Sequence, residues 1–396
     1  MTNKATSSDP YAPYRVKDPF PRDKLPIPIF DDEPGYIELY WKAWELAWAH
    51  AIRRDDTPQP WYMDEAMDPG QIWVWDSCFM AMFCRYAVGV FPGVETLNNF
   101  YYIIHDRRSS KVKIHFADNP PLFAWVEWAY FQITGDKERL RWLDSHGYLE
   151  RHWEFIEHGK WKMNNRNVMV GASASRKKLG YTWRGNTSGM DNTPRGRNWW
   201  NVTKINPRGQ IGVNAILWVD LLAQQALAAE YIAKISAVLG KKEKESFWNE
   251  KFAELRDILN QYYWNESDAF YYDLNYRPKW WIDLLKSVGK EYQCRVPTIA
   301  SYWPMLASMC SSDQALSLKR KAEDPAFFGG DFPWPSLARN DPDYMPEGRY
   351  WRGGIWLPTS YMAIKALERY DFLALACSSA EKRSEERRVG KECRSR

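Results

Sequence analysis

The 396-residue sequence predicts an all-α protein, because apolar residues recur at helical spacing along most of the chain and strand signal is short. Ile37, Trp41, Trp44, Trp48 and Ile52 follow one another at steps of four, three, four and four, which places them on one helix face. About ten such segments with short connections predict a series of helical hairpins.

The helical segments are placed from their apolar spacing and from Gly, Pro or capping residues at their ends. Residues 1–34 contain seven prolines and little periodicity, so they predict an extended arm before the first helix. The second helix is predicted to start at Asp76, a good N-cap residue. The segments lie near residues 37–52, 76–89, 94–106, 121–134, 137–158, 211–239, 243–262, 297–310, 313–321 and 354–370.

Composition excludes several classes of function. The net charge is +4, of which residues 381–396 supply +3 through seven Lys/Arg and four Glu, so no basic surface for nucleic acid is predicted. The six cysteines form no CxxC pair, and neither a metal site nor a cofactor is expected. Without an N-terminal apolar segment or a run of eighteen apolar residues, the sequence predicts a cytoplasmic protein with no membrane partner.

Long irregular stretches carry most of the candidate site residues. Loops predicted at 56–75, 107–120, 160–210 and 323–353 are unusually long for a helical body, and such loops are usually functional. They hold four motifs, WVWDS at 73–77, DNPP at 118–121, SGMDNTPR at 188–195 and RYWRGGIW at 349–356. Aromatic rings suit the apolar faces of sugars and planar polar groups suit their hydroxyls, so a small carbohydrate is the expected partner.

Asp191 is the candidate general acid. Gly189 permits a backbone conformation closed to other residues, and Pro194 keeps Thr193 out of a helix, so the loop should be rigid. Met190 and nearby tryptophans could desolvate the carboxyl group and favour its protonated form. The alternative is that Asp191 only closes an Asx-turn.

The other candidates also have a structural alternative. Asp76 could bind two sugar hydroxyls or cap its helix. Arg352 could bind a hydroxyl or a substrate carboxylate, or form a loop salt bridge, and Arg195 is open to the same two interpretations. The tryptophans of the motifs could line a subsite or belong to the core.

Three motifs in order resemble those of inverting (α/α)6-barrel glycoside hydrolases, namely WDS at 75–77, SGMDNTPR at 188–195 and YWRGGIW at 350–356. The resemblance covers residues 33–372 and is nearest to mannosylglycerate hydrolase-like enzymes and processing α-glucosidases, with trehalases more distant. It implies an (α/α)6 toroid, hydrolysis of an α-glycosidic bond in a small glycoside or oligosaccharide, and Asp191 as general acid. The substrate-binding residues expected from motifs and resemblance are Trp75, Asp76, Asn119, Asn192, Arg195, Tyr350, Trp351, Arg352 and Trp356.

The sequence departs from this family at the second carboxylate. By resemblance, the general base is a Glu in a loop beyond the YWRG helix, and no such Glu-Asn-Tyr context occurs here. Residues 373–396 are read instead as a charged, non-native-looking tail. We therefore expect a catalytic domain over 35–372 that lacks its last helices, a toroid incomplete at its C-terminal end, and Glu347 as a weak substitute base.

Two other functions are compatible with the motifs. The chain could be a catalytically silent carbohydrate-binding toroid, either truncated or a pseudo-enzyme. It could also be a helical-toroid lyase that abstracts a proton beside a uronate carboxylate with Tyr, His or Lys as base. The sugar, the aglycone and the oligomeric state are left open.

Overall fold

The structure, a computed structural model, describes residues 13–30, 32–65, 70–158, 174–195, 216–275 and 293–388. These residues divide into two units. The first contains the described residues up to Ala117 together with Val126–Tyr148, and the second contains Asp118–Trp125 and the described residues from Leu149 onward.

Twelve α-helices lie in the described part of the chain, and the prediction of a mostly helical protein is confirmed. Two of them continue as π-helical turns, α3 through Tyr101–His105 and α8 through Leu259–Tyr263. The helices are α1 Pro34–Ala49, α2 Val74–Cys84, α3 Gly93–Phe100, α4 Phe123–Thr134, α5 Lys137–His146, α6 Tyr148–Glu157, α7 Val219–Val238, α8 Lys242–Ile258, α9 Trp303–Leu306, α10 Ser312–Glu323, α11 Leu357–Glu368 and α12 Leu373–Arg388.

Helix ends follow local capping chemistry. Ser311 caps α10 and forms a capping box with Gln314, and the Asp136 side chain accepts from the backbone N–H of Arg139 at the start of α5. Gly147 adopts a left-handed conformation with φ 61°, which ends α5 and divides the segment predicted as one helix over 137–158. The N-cap of α2 is Trp73, so the prediction that Asp76 caps this helix is wrong.

The strands are two or three residues long and form small sheets. β1–β2, β5–β6 and β8–β9 are antiparallel pairs, β3–β4 is a parallel pair, and β7, β10 and β11 form one sheet in the order β11-β10-β7. Their bounds are β1 Ala51–Arg53, β2 Trp61–Met63, β3 Gln71–Trp73, β4 Lys113–His115, β5 Ser175–Lys177, β6 Gly180–Thr182, β7 Ile216–Leu217, β8 Trp264–Asn265, β9 Phe270–Tyr271, β10 Asp273–Asn275 and β11 Gln293–Cys294.

Each unit buries its own apolar side chains. In the first unit, Trp44 of α1 packs against Phe91, with ring centroids 4.9 Å apart. In the second unit, α7 is apolar around most of its circumference, and this explains why it is buried along nearly its whole length. It packs along α8, whose apolar residues occupy a narrower face.

Leu373–Arg388 is helical, so the expectation of a charged tail without helical structure from residue 373 onward is wrong over these residues. Helix α12 is rich in Leu, Ala, Glu, Lys and Arg, which have high helix propensity, and it packs against α11. Ala376, Ser379 and Arg383 are buried. Among the described helices, none is both long enough and apolar enough to cross a membrane.

Candidate active site

A tight turn presents Asp191. The Ser188 hydroxyl donates to the carbonyl of Gly185 at 2.6 Å and accepts from the backbone N–H of Met190 at 3.1 Å. Gly189 has φ 77°, a left-handed conformation that glycine adopts without steric cost. Asp191 itself is half-buried at the tip. Gly189 thus adopts the backbone conformation for which the sequence analysis singled it out.

The DNPP segment, residues 118–121, forms hydrogen bonds with the residues that lead into this turn. The Asn119 amide donates to the carbonyl of Thr187 at 2.6 Å, and the Trp183 indole donates to the carbonyl of Asp118 at 3.1 Å. Asn119 is only 2% exposed, and its Oδ1 has no hydrogen-bond partner among the described residues. Its amide donates to the residue directly before the acid loop, residues 188–195, and the predicted sugar contact stays a prediction.

Arg195, at the other end of the acid loop, lies in a buried ionic cluster. Its guanidinium donates to both carboxylate oxygens of Asp220, at 2.7 and 2.9 Å, and to both of Asp273, each at 2.6 Å. It also lies 4.3 Å from the ring centroid of Trp218. Because Arg195 has no exposed surface, its predicted contact with the sugar is not supported.

The charges of this cluster stabilise one another. Burial alone would lower the pKa of Arg195, but the charges and hydrogen bonds of Asp220 and Asp273 raise it above its ordinary value. Burial raises the pKa of Asp273, and Arg195 opposes that shift. Sequence reasoning missed both aspartates. Asp220 stands in the first turn of α7 and Asp273 at the start of β10, and nothing in their spacing connects them with Arg195.

The YWRG motif forms a strained turn. Arg349 and Tyr350 have φ 34° and 67°, in the left-handed region that non-glycine residues seldom adopt. Gly353 has φ 145°, and a Cβ atom there would lie 2.4 Å from the carbonyl oxygen of Met345. This position therefore requires glycine.

The YWRG turn meets the acid loop within the second unit. The Tyr350 hydroxyl donates to Oδ2 of Asp191 at 3.2 Å. The Asn192 side chain accepts from the backbone N–H of Trp351 at 2.8 Å and donates to the carbonyl of Arg349 at 3.0 Å. The structure thus brings together Asp191, Asn192, Tyr350 and Trp351, which the sequence placed in one site.

Aromatic rings adjoin the acid. Trp351 and Trp356 are stacked with centroids 4.8 Å apart and planes inclined by 18°, and Tyr350 stands edge-on to Trp356 at 5.4 Å. Trp351 is buried, Trp356 is half-buried and Tyr350 is 45% exposed. Partly exposed aromatic faces beside a carboxyl group suit the C–H surface of a sugar ring.

Glu347 does not have the properties of a base. Its side chain is exposed and accepts from Nε of Arg349 at 3.0 Å. A backbone N–H first, and then Arg349, hold its pKa below the ordinary value. A carboxylate with a lowered pKa is a weaker proton acceptor.

Trp75 and Asp76 belong to the first unit. Trp75 is 6% exposed and packs edge-on against Phe79, at 5.0 Å. Asp76, in the first turn of α2, shares a hydrogen bond with Glu65. Burial, then the negative charges of Asp76 and Asp64, raise the pKa of Glu65 to about 10, so Glu65 keeps its proton at neutral pH. Sequence reasoning missed Glu65, and a common subsite for Trp75, Asp76 and Asp191 stays a prediction.

Residues 68–390 match a family described as the mannosylglycerate hydrolase MGH1-like glycoside hydrolase domain. A protein of Borreliella burgdorferi described as uncharacterized is 22% identical over 306 residues, which are 74% of this chain and 54% of that protein. The mannosyl-oligosaccharide glucosidase of Saccharomyces cerevisiae is 24% identical over 233 residues, 57% of this chain and 24% of that protein. The chain thus spans about half, or less, of the length of these relatives.

Solved structures include a similar fold. The GH63 mannosylglycerate hydrolase from Thermus thermophilus, in complex with Tris and D-glycerate, superposes with a TM-score of 0.60 at 17% identity. The match covers 87% of this chain and 90% of that one. Identity this low shows the fold alone, and the predicted all-α class of (α/α)6 type is confirmed.

Proposed function

The chain belongs to the mannosylglycerate hydrolase MGH1-like glycoside hydrolase family, and from this membership we propose that it hydrolyses an α-glycosidic bond with inversion, using Asp191 as general acid. One observation carries the assignment of the acid. Asp191 lies at the tip of a braced turn, 3.2 Å from the Tyr350 hydroxyl and beside partly exposed aromatic rings. The substrate class is a small glycoside or oligosaccharide.

The proposed reaction needs two proton transfers. The protonated acid gives its proton to the glycosidic oxygen as the bond to the anomeric carbon breaks, and a water attacks that carbon from the opposite face. A second carboxylate takes a proton from this water, and inversion requires about 6.5–9.5 Å between the two carboxyl groups. Because Glu347 is exposed and paired with Arg349, the proposal assigns no base among the described residues.

Arg352 supports a substrate that carries hydroxyls or a carboxylate near the scissile bond. The hydrogen bond from its Nε to the carbonyl of Asn192, at 3.4 Å, is the one that its guanidinium makes with the described residues. Among the described residues no acceptor faces the other donors of the half-buried fork, whose geometry suits a hydroxyl or a carboxylate. A mannosyl- or glucosylglycerate fits this chemistry, and so does a neutral α-glucoside.

Asp191→Asn tests the proposed acid. We expect kcat on α-mannosyl- and α-glucosylglycerate to fall by about 10²–10⁴-fold with little change in KM, because the asparagine keeps the shape and cannot donate the proton. Product anomers would be followed by proton NMR to establish inversion.

Asp313→Asn is the matched control, since Asp313 is exposed in the first turn of α10. It should keep the wild-type rate. Full activity in Asp191→Asn would remove Asp191 from the mechanism. Calorimetric sugar binding without turnover in the wild-type protein would favour the silent carbohydrate-binding alternative.

A further inference from the structure

The side chain of Asn192, next to the proposed acid, uses both of its polar atoms on the main chain of the YWRG turn. Its Oδ1 accepts from the N–H of Trp351 at 2.8 Å and its Nδ2 donates to the carbonyl of Arg349 at 3.0 Å. These two groups flank Tyr350 in the sequence. The carboxamide therefore spans the backbone of Tyr350, whose hydroxyl donates to Asp191.

The turn that Asn192 bridges is unfavourable on its own. Arg349 and Tyr350 both have positive φ, which is sterically unfavourable for non-glycine residues. Hydrogen bonds from outside the turn offset such strain. The acid loop supplies two of them through one side chain.

Tyr350 lies at the surface beside two tryptophans. Its side chain is 45% exposed, and its ring contacts include an edge-on approach to Trp356 at 5.4 Å and a 6.1 Å contact with Trp351. The Trp356 indole donates to the carbonyl of Tyr350 at 3.3 Å. Because the backbone of the turn carries the ring, the hydrogen bonds that hold this backbone help to set the position of the hydroxyl.

We propose that Asn192 is a positioning residue, whose carboxamide sets the YWRG turn so that the Tyr350 hydroxyl donates to the carboxylate of Asp191. This inference rests on the proposed function and replaces the sugar contact that the sequence predicts for Asn192. It makes the geometry of the acid depend on a hydrogen bond that never touches substrate. The neighbouring charges are Arg352, on the carbonyl of Asn192, and the Arg349–Glu347 pair.

A double-mutant cycle on kcat tests the proposal. Asn192→Ala and Tyr350→Phe should each lower kcat by about tenfold, and the double variant should be no slower than the slower single variant, because both changes remove the same contact. KM should stay within about twofold in Asn192→Ala, whereas loss of a direct sugar contact would raise it. Asn340→Ala, an exposed asparagine, is the control and should keep wild-type rates.

Crystal structures of the variants give a readout that needs no activity. In Asn192→Ala the Tyr350 hydroxyl should lie more than about 4 Å from the Asp191 carboxylate, beyond hydrogen-bond reach. Asn192→Ser should show the same displacement, because the shorter serine side chain cannot span both partners. It replaces Asn192→Ala in this experiment if the alanine variant folds poorly.

An unmoved Tyr350 in these variants, or effects on kcat that multiply in the double variant, would overturn the proposal. Displacement of Tyr350 in a protein whose wild type hydrolyses no glycoside would support the positioning role and reject the proposed function.

Discussion

The acid loop makes half-buried hydrogen bonds at one end and belongs to a buried ionic cluster at the other. Asp191 and Asn192, at the tip, are half-buried and contact a hydroxyl and main-chain groups of the YWRG turn. Arg195, four residues later, is fully buried between Asp220 and Asp273. The same short motif therefore carries both the proposed acid and its support.

The difference has a physical reason. A general acid must hold a proton at working pH, and a guanidinium at its carboxylate would favour the ionised form instead. Arg195 is committed to Asp220 and Asp273, and the neutral hydroxyl of Tyr350 donates to Asp191. The buried Arg195 has the opposite need, a charged partner, because a buried charge without one is costly.

Arg195→Met should give the largest effect on stability. Removal of the guanidinium leaves two buried carboxylates without their counter-charge, so we expect the free energy of unfolding to fall by about 3–5 kcal/mol in urea denaturation. Arg352→Met is the matched control, since its guanidinium is half-buried with one long hydrogen bond, and it should cost about 1 kcal/mol or less.

The triple variant Arg195→Met, Asp220→Asn, Asp273→Asn tests whether unpaired charge causes this loss of stability. It should be more stable than Arg195→Met alone, because no unpaired charge is left in the interior. A triple variant less stable than the single one would mean that the cluster acts through packing rather than through charge.

Asn119→Ala should give an intermediate effect. The change removes the hydrogen bond to the Thr187 carbonyl, at 2.6 Å in a buried environment, and leaves that carbonyl without this donor, which we expect to cost about 2 kcal/mol in thermal or urea unfolding. The sequence-based hypothesis of a sugar contact predicts the opposite pattern, in which KM rises and stability is unchanged. Measurement of both quantities on one variant separates the two roles.

The helices could be predicted from the sequence where one face is clearly apolar. The spacing of Ile37, Trp41, Trp44 and Trp48 predicts α1, whose bounds are Pro34–Ala49. The prediction that Ile52 continues this helix face is wrong, because Ile52 lies in strand β1. Boundaries that depend on a single residue were harder to predict, since Gly147 divides one predicted helix into two. Helix α12 was missed because its charged sequence offers little to bury, although its residues are good helix formers.

The candidate site could be predicted as a set of loops but not as a set of contacts. The motifs gave Asp191, Asn192 and Tyr350, yet the bonds between the two loops join residues 159 positions apart, and no local pattern encodes them. Turn residues and aromatic clusters in the sequence indicate which loops contribute to the candidate site. Whether a polar side chain faces a ligand or the protein is decided by tertiary packing, as Arg195 and Asn119 show.

Glu65→Gln should change stability least at acid pH, with an effect that grows as pH rises. The proton on Glu65 prevents charge repulsion between its carboxyl group and that of Asp76. At Asp273 the guanidinium of Arg195 offsets the negative charge instead. Because the folded pKa of Glu65 is raised from 4.5 to about 10, the folded protein keeps a proton across this window that the unfolded chain has lost. The contribution of Glu65 to stability is therefore fully present below about pH 4.5 and declines as pH rises toward 10.

Urea unfolding at pH 6, 7, 8 and 9 measures this decline as the stability of Glu65→Gln minus that of the wild type. The glutamine carries no titrating proton and can still donate to Asp76, so the difference should rise with pH by at most about 1.4 kcal/mol per unit, and by less because Glu65 is partly exposed. Glu347→Gln is the control, since its exposed carboxylate has a lowered pKa and should show no such rise over this range. A flat difference for Glu65→Gln would mean that Glu65 is ionised in the folded protein, and that Asp76 is balanced by some group other than this proton.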